Sequence, residues 1–182
     1  EVLAAEIGRR SYRVAVLDTP ENQTTTEALD FRNLRSSDYA AIHYPWIDVI
    51  DPRPSRGGSR LKLPPSGFMA GIYARNDIEH AVFKAPANEV VRLAVDFEVL
   101  VNGAQQDILN PNGVNCLRFF EGRGFLVWGA RTISDDPEWK YVSLRRYFAY
   151  LEHTVDRGTQ WVVFENNGPQ LWDNVRRTVE DF

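Results

Sequence analysis

Residues 112–164, NGVNCLRFFEGRGFLVWGARTISDDPEWKYVSLRRYFAYLEHTVDRGTQWVVF, constrain the fold most tightly, because strand-like, helical and apolar text follow one another with almost no slack. The β-type runs CLRFF and FLVWG flank Glu121-Gly122-Arg123-Gly124. Glycines at both ends of that loop supply the positive φ that a tight antiparallel reversal needs, so the segment predicts a hairpin. Downstream, Tyr141, Leu144, Phe148, Leu151 and Val155 recur at alternating spacings of three and four, an apolar stripe on a helix that Gly158 stops. Two starts are open: Asp136 as cap with Pro137 at the first helical position, or Ser143 after an extended Lys140-Tyr141-Val142. Trp161-Val162-Val163-Phe164 is an unbroken apolar run and predicts a strand covered on both faces.

Upstream the rhythm is that of parallel α/β structure. Residues 2–7 read as the end of a helix, 13–18 as a buried strand closed by Thr19-Pro20, 24–35 as a helix with threonines available as caps, and 39–44 as the next strand. Pro45 ends the ladder because it has no N–H to donate. Residues 51–65, DPRPSRGGSRLKLPP, are too rich in proline, glycine, serine and arginine to bury much apolar surface and read as a mobile surface loop. Its Arg53, Arg56, Arg60 and Lys62 are either solvated or a contact for an acidic partner. Ser66 is placed to cap a helix containing Met69, Ile72 and Tyr73, with Gly67 and Gly71 allowing close backbone approach. Residues 90–101 read as one or two strands, Asn102-Gly103 as a turn, and 104–109 as a helical turn. A last helix carries the stripe Trp172, Val175, Val179 and Phe182.

A chain of 182 residues is one domain, or one domain with part of a second, and buries roughly 70% of the surface of its unfolded state. It opens at Glu1 in helix-like text and stops at Phe182 within an amphipathic pattern, as expected of a piece of something longer. A boundary falls near 105–111, dividing 1–104 from 105–182. The net charge of −4, with acids and bases interspersed, gives no reason to seek nucleic acid or an anionic membrane. The single cysteine, Cys116, excludes an internal disulfide framework and reads as a buried hydrophobe. No apolar run approaches the roughly 20 residues that span a bilayer as a helix, so no membrane insertion is expected.

Catalysis has one candidate constellation. Asp18, His43 and Ser66 follow the chain order of a subtilisin triad, and Ser66-Gly67-Phe68-Met69-Ala70 sits at a helix start, which makes a serine hydrolase the alternative reading. Against it, His43 lies inside a strand and lacks a following glycine. His43, His80 and His153 are scattered, none with a second ligand at metal spacing. Gly122-x-Gly124 precedes a strand where a phosphate loop requires a helix. No cofactor is therefore expected, and packing and assembly are left as the function.

Short motifs spread from residue 39 to 182 point the same way. Asn110-Pro111-x-Gly113-x-Asn115, Gly122-Arg123-Gly124, Val127-Trp128-Gly129-Ala130-Arg131-Thr132, Arg145-Arg146 and Gly158-Thr159-Gln160-Trp161-Val162-Val163-Phe164-Glu165 resemble the contractile tail sheath proteins of phage tails and related injection machines. Tyr44-Pro45-Trp46, Pro64-Pro65-Ser66-Gly67-x-x-Ala70-Gly71-x-Tyr73-Ala74-Arg75-x-Asp77 and Lys84-Ala85-Pro86-Ala87-Asn88 are similar to the same family. The resemblance implies an α/β domain, a mixed sheet flanked by helices with an antiparallel hairpin: residues 1–104 form the second part of the sheath domain, in part of the family called subtilisin-like for its fold, and 105–182 a C-terminal domain cut before its terminal arm. It implies no enzyme activity. Such subunits stack in hexameric rings helically around a tail tube, meet a baseplate, and contract to drive the tube through a target envelope. Made in the bacterial cytoplasm, they end in a virion tail or an injection particle. Of the basic residues, Arg145, Arg146, Arg176 and Arg177 are the candidates to touch the tube or a neighbouring subunit; Gly122, Arg123, Gly124, Trp128, Gly129 and Trp161 are motif residues with a structural role.

Overall fold

The computed structural model describes residues 12–53 and 57–181. Its main sheet has the order β1 (Ala15–Asp18), β2 (Ala40–Tyr44), β6 (Val114–Phe120), β7 (Gly124–Val127), with the first three parallel and β7 antiparallel to β6. A second, antiparallel sheet runs β4 (Arg60–Leu63), β3 (Ile47–Ile50), β5 (Ala94–Phe97). Helices α1 (Thr25–Asn33), α2 (Pro65–Glu79) and α3 (Gly103–Leu109) are interleaved with these strands, and α4 (Val142–Gly158) and α5 (Pro169–Glu180) follow them. The architecture is the expected mixed α/β fold. β6 joins the sheet begun by β1 and β2, so that sheet continues across position 104/105, where the sequence suggested a boundary.

The two faces of the main sheet explain the core. Side chains alternate along a strand. On β2 and β6, Ala40, Ile42, Tyr44, Val114 and Cys116 pack with Ala28 of α1 and Leu109 of α3. Ala41 and Leu117 on the opposite face join Met69, Ile72 and Tyr73 of α2 and Ile47, Val49 and Phe97 of the small sheet. β2 is therefore buried along its whole length, as a central strand covered on both sides must be. Cys116 is buried as expected, and burial pushes its thiol up to about 12.

Local signals hold where they are self-contained. Thr24 and Glu27 form a capping box on α1, the Glu27 N–H donating to Thr24 Oγ1 at 3.3 Å and the Thr24 N–H to Glu27 Oε2 at 2.8 Å. β6 and β7 make the expected hairpin, closed by Gly122 at φ +76° and Gly124 at φ +82°. A cis peptide joins Tyr44 to Pro45 at the end of β2.

Other expectations are corrected. β1 is shorter than residues 13–18 and only half-buried, because it is an edge strand. Residues 51–65 contain β4, and its partner β3 was not anticipated; alternation of charge and leucine in Arg60-Leu61-Lys62-Leu63 outweighs the loop-like composition around it. Residues 90–101 supply one strand, β5, within the one or two expected. Asn102 opens α3 through a capping box with Gln105 instead of making a turn, since an Asn before Gly serves either role. Pro64 holds the cap position of α2 and makes no side-chain hydrogen bond, so Ser66 lies inside the first turn. A Cβ on Gly67 or Gly71 would meet nothing within 4 Å, so neither glycine mediates a close approach.

The C-terminal third departs furthest. α4 starts at Val142 with Tyr141 as a cap lacking a side-chain bond; Asp136 instead caps a short 3-10 turn, Pro137–Trp139, accepting from the Glu138 N–H at 2.9 Å. The face of α4 that is buried is Val142, Arg145 and Ala149, while Tyr141, Leu144, Phe148 and Val155 of the apolar stripe stay 36–50% exposed. Trp161-Val162-Val163-Phe164 is a 3-10 turn, Gln160–Phe164, and Phe164 is 97% exposed. β propensity is realised only against a partner strand. Here the Val162 N–H bonds to Thr159 and the Glu165 N–H to Val162, which curls the segment locally. On α5, Trp172 and Val179 are exposed, and Phe182 lies outside the described residues, as do 2–7.

Candidate functional site

The topology brings Asp18, His43 and Ser66 near one another without making a triad. Parallel pairing of β1 and β2 sets Asp18 in register with His43, and the Ser66 N–H donates to Asp18 Oδ1 at 2.6 Å. The carboxylate thus meets the first turn of α2, where free N–H groups favour negative charge. His43 is fully buried, and neither ring nitrogen has a hydrogen-bond partner among the described residues. Its nearest aromatic neighbour is Tyr73, edge-on at 6.3 Å between centroids. Burial holds the imidazole neutral, with its pKa lowered to about 3. A general base must reach both serine and carboxylate; this histidine bonds to neither.

The glycine and asparagine motifs converge on one buried amide. Asn115 donates through Nδ2 to the Ile42 carbonyl at 3.0 Å and the Arg131 carbonyl at 2.7 Å, and its Oδ1 accepts the Arg131 N–H at 2.6 Å. It ties β2, β6 and the segment after β7 together. Gly129 is required beside it, because a Cβ there would lie 2.9 Å from Asn115 Oδ1 and 3.0 Å from Asn115 Cα. Gly113 has φ +82°, and a Cβ on it would sit 2.7 Å from the Thr132 carbonyl oxygen. Trp128 packs on Phe120 at 4.6 Å, and Arg123 reaches over both rings while donating to Asn88 Oδ1.

The four candidate arginines divide into two kinds. Arg145 is 4% exposed, held between the rings of Tyr39 and Trp139 at 4.2 Å each and paired with Asp38 and Glu152, both at 3.3 Å. Arg146 donates to Asp77 Oδ1 at 3.0 Å and lies 4.9 Å above the Tyr73 ring. Each fastens α4 to the body of the domain. Beside Arg146 a cavity of about 500 Å³ separates α4 from β1 and α2, lined by Val14, Val16, Tyr73, Asp77, Ala149 and Tyr150. Arg176 and Arg177 are exposed on α5 and enter no ion pair among the described residues. Trp161 is 43% exposed in the turn after α4.

The basic residues of the expected loop are spent internally. Arg53 pairs with Asp51 at 2.6 Å, Arg60 with Asp96 at 2.9 Å and Lys62 with Glu98 at 3.0 Å, while Arg56 lies outside the described residues. Arg53 holds the Asp51 carboxyl below the usual carboxylate range. Sequence reasoning missed the Arg145 cage; its signal was Glu152 seven residues on along the same helix, with Tyr39 and Trp139 elsewhere. No group of three or more acidic, histidine or cysteine side chains suited to a metal occurs among the described residues. Nor is any described helix long and apolar enough to cross a membrane.

The buried amide and the internal ion pairs give these motif residues packing roles. A profile of the phage tail sheath protein central domain matches residues 3–133, and the chain belongs to that family. It is 26% identical over 156 residues to a putative prophage major tail sheath protein of Pseudomonas aeruginosa, covering 82% of this chain and 39% of that protein. To the tail sheath protein of Vibrio phage KVP40 it is 28% identical over 113 residues, 58% of this chain and 16% of the relative. Among solved structures, a chain of the contracted helical sheath of the anti-feeding prophage superimposes with a TM-score of 0.82 at 34% identity, over 98% of this chain and 47% of that one. A chain of the contracted sheath complex of the extracellular injection system PVC gives 0.81 at 33% identity, over 92% and 46%. The chain therefore spans less than half the length of these relatives.

Proposed function

We propose that this chain is the central part of a structural sheath subunit, which polymerises helically around a tail tube and contracts to drive the tube through a target envelope. The observation that carries the reading is the likeness, over 98% of the chain, to a contracted helical sheath. Its partners are other copies in stacked hexameric rings, the tube and the baseplate, in a particle assembled after synthesis in the bacterial cytoplasm. Head-to-tail contacts of this kind do not close and so build an open helical array. In this proposal the division at 104/105 is one of role, residues 1–104 belonging to the sheath domain and 105–182 to the C-terminal domain.

Arg176 and Arg177 are the residues we assign to tube or neighbour contact, while Arg145 and Arg146 hold α4 in place for them. The subunit has no hydrolase activity in this reading, and the unpartnered His43 supports that assignment. Electron microscopy of the intact protein tests the function: tubes of stacked rings are expected, and a protein that remains dispersed under all assembly conditions would refute it. Fluorophosphonate labelling of Ser66 that His43→Ala abolishes would instead establish a hydrolase.

A further inference from the structure

Phe164 is the most exposed large apolar side chain among the described residues, 97% accessible, and Val163 beside it is 66% exposed. The two form an apolar projection at the end of the 3-10 turn. Glu165, next in the chain, is also exposed and enters no ion pair among the described residues. Phe164 and Glu165 are therefore consecutive exposed residues at the end of the 3-10 turn.

The same chain carries a complementary recess. A cavity of about 330 Å³ lies between Trp128 and Tyr141, lined also by Ala85, Ala87, Gly129 and Ala130 and by the polar Asn88 and Asn110. Two cations lie beside it: Arg131, part of the lining, is 6.0 Å from the Tyr141 ring centre, and Arg123 is 5.4 Å from that of Trp128. Neither has a carboxylate partner among the described residues, whereas Arg32, Arg60, Lys62, Arg75, Lys84, Arg145 and Arg146 all do. An aromatic-walled recess with an uncompensated positive rim suits an aromatic side chain adjoining an acid.

Knob and recess cannot meet within one molecule. Tyr141 caps the start of α4, a helix of 17 residues and about 25 Å, while Phe164 follows its end and is 97% exposed in its own molecule. We infer that Phe164 and Glu165 of one copy dock into the Trp128–Tyr141 recess of a second copy, the ring entering the cavity and the carboxylate meeting Arg131. The contact joins two different surfaces, so each copy keeps a free knob and a free recess, and the contact propagates instead of closing. It rests on the sheath reading and assigns one of its subunit interfaces.

Cysteine cross-linking in the intact protein tests it. Phe164→Cys combined with Ala87→Cys should give, on mild oxidation of assembled particles, a ladder of many bands on a non-reducing gel, while each single variant gives dimers at most. Native Cys116 is fully buried and does not contribute. A charge exchange gives a second readout: Glu165→Arg or Arg131→Glu alone should impair assembly, and the two together should restore it. Particles that assemble without a ladder, or an exchange that fails to restore them, overturn this contact and leave the sheath reading standing. A ladder without sheath tubes supports the contact and removes the sheath reading; neither particles nor ladder removes both.

Discussion

The guanidinium of Arg145 lies 4.2 Å from the ring centroid of Trp139, with the Tyr39 ring also at 4.2 Å, so α4 is held to the domain by a buried cation between two aromatic walls. Asp38 and Glu152 balance its charge but are themselves part-exposed, which limits what those pairs contribute. Most of the stabilisation therefore comes from packing and cation–π contact. Arg145→Ala is expected to cost about 2 kcal/mol of unfolding free energy, read by urea titration. Arg145→Lys should recover little of it, because an ammonium cannot stack as a planar guanidinium does. Full recovery by lysine would show that charge alone matters there.

Two glycines should respond in opposite directions to the same substitution. Gly129→Ala drives a methyl against Asn115 Oδ1 at 2.9 Å, and the three Asn115 bonds, to Ile42 of β2 and to Arg131, leave it little room to yield. A loss of about 1–3 kcal/mol is expected, as for overpacking elsewhere. Gly71→Ala places its methyl in open space inside α2 and should stabilise by about 0.5–1 kcal/mol. Thermal or denaturant unfolding of the two variants side by side checks both signs.

His43 gives stability a pH dependence whose sign follows from its burial. Its folded pKa of about 3 lies below the ordinary value of 6.5, so the unfolded chain takes up the proton first. Stability is full above about pH 6.5 and falls as acid approaches pH 3; at pH 4.5 the loss from this group is on the order of 2–3 kcal/mol. The Asp51 and Asp135 carboxyls, held low by Arg53 and by Ser36 and Arg32, add their losses only below the carboxylate range. Between pH 6.5 and 5 the slope is therefore due chiefly to the histidine. His43→Leu should flatten it in unfolding measurements across that interval, and an unchanged slope would assign the effect elsewhere.

What could be read from the sequence was whatever a few neighbouring residues decide. Thr24 with Glu27, and Gly122 with Gly124, specify their cap and hairpin without help from distant parts of the chain. Residues 161–164 failed because a strand needs a partner, and sequence cannot say whether a free edge lies within reach. The stripe on α4 had the right period and the wrong phase: Arg145 was a candidate for outward contact on its charge, yet the rings of Tyr39 and Trp139, Asp38 and, from α4 itself, Glu152 cover it. Asn115 and Gly129 were visible as motif positions, but their reason, one amide serving three segments, appears only when β2 and β6 pair.

The last prediction separates Arg176 and Arg177 from the arginines of α4. Both pairs look alike in sequence, but Arg145 and Arg146 are engaged internally, while Arg176 and Arg177 project from α5. Reversing the exposed pair, Arg176→Glu with Arg177→Glu, should leave the unfolding midpoint within about 0.5 kcal/mol of its original stability. Assembly on tubes should weaken, and the salt dependence of binding should fall with the two lost charges, because exposed charge contacts are screened over about 10 Å at 0.1 M salt. Arg146→Glu should behave in the opposite way, lowering stability through repulsion from Asp77 before any effect on assembly. Co-sedimentation with tubes across a salt series, run beside denaturant unfolding, distinguishes the two classes. If the α5 reversal leaves tube binding and its salt slope unchanged, Arg176 and Arg177 are ordinary solvated surface.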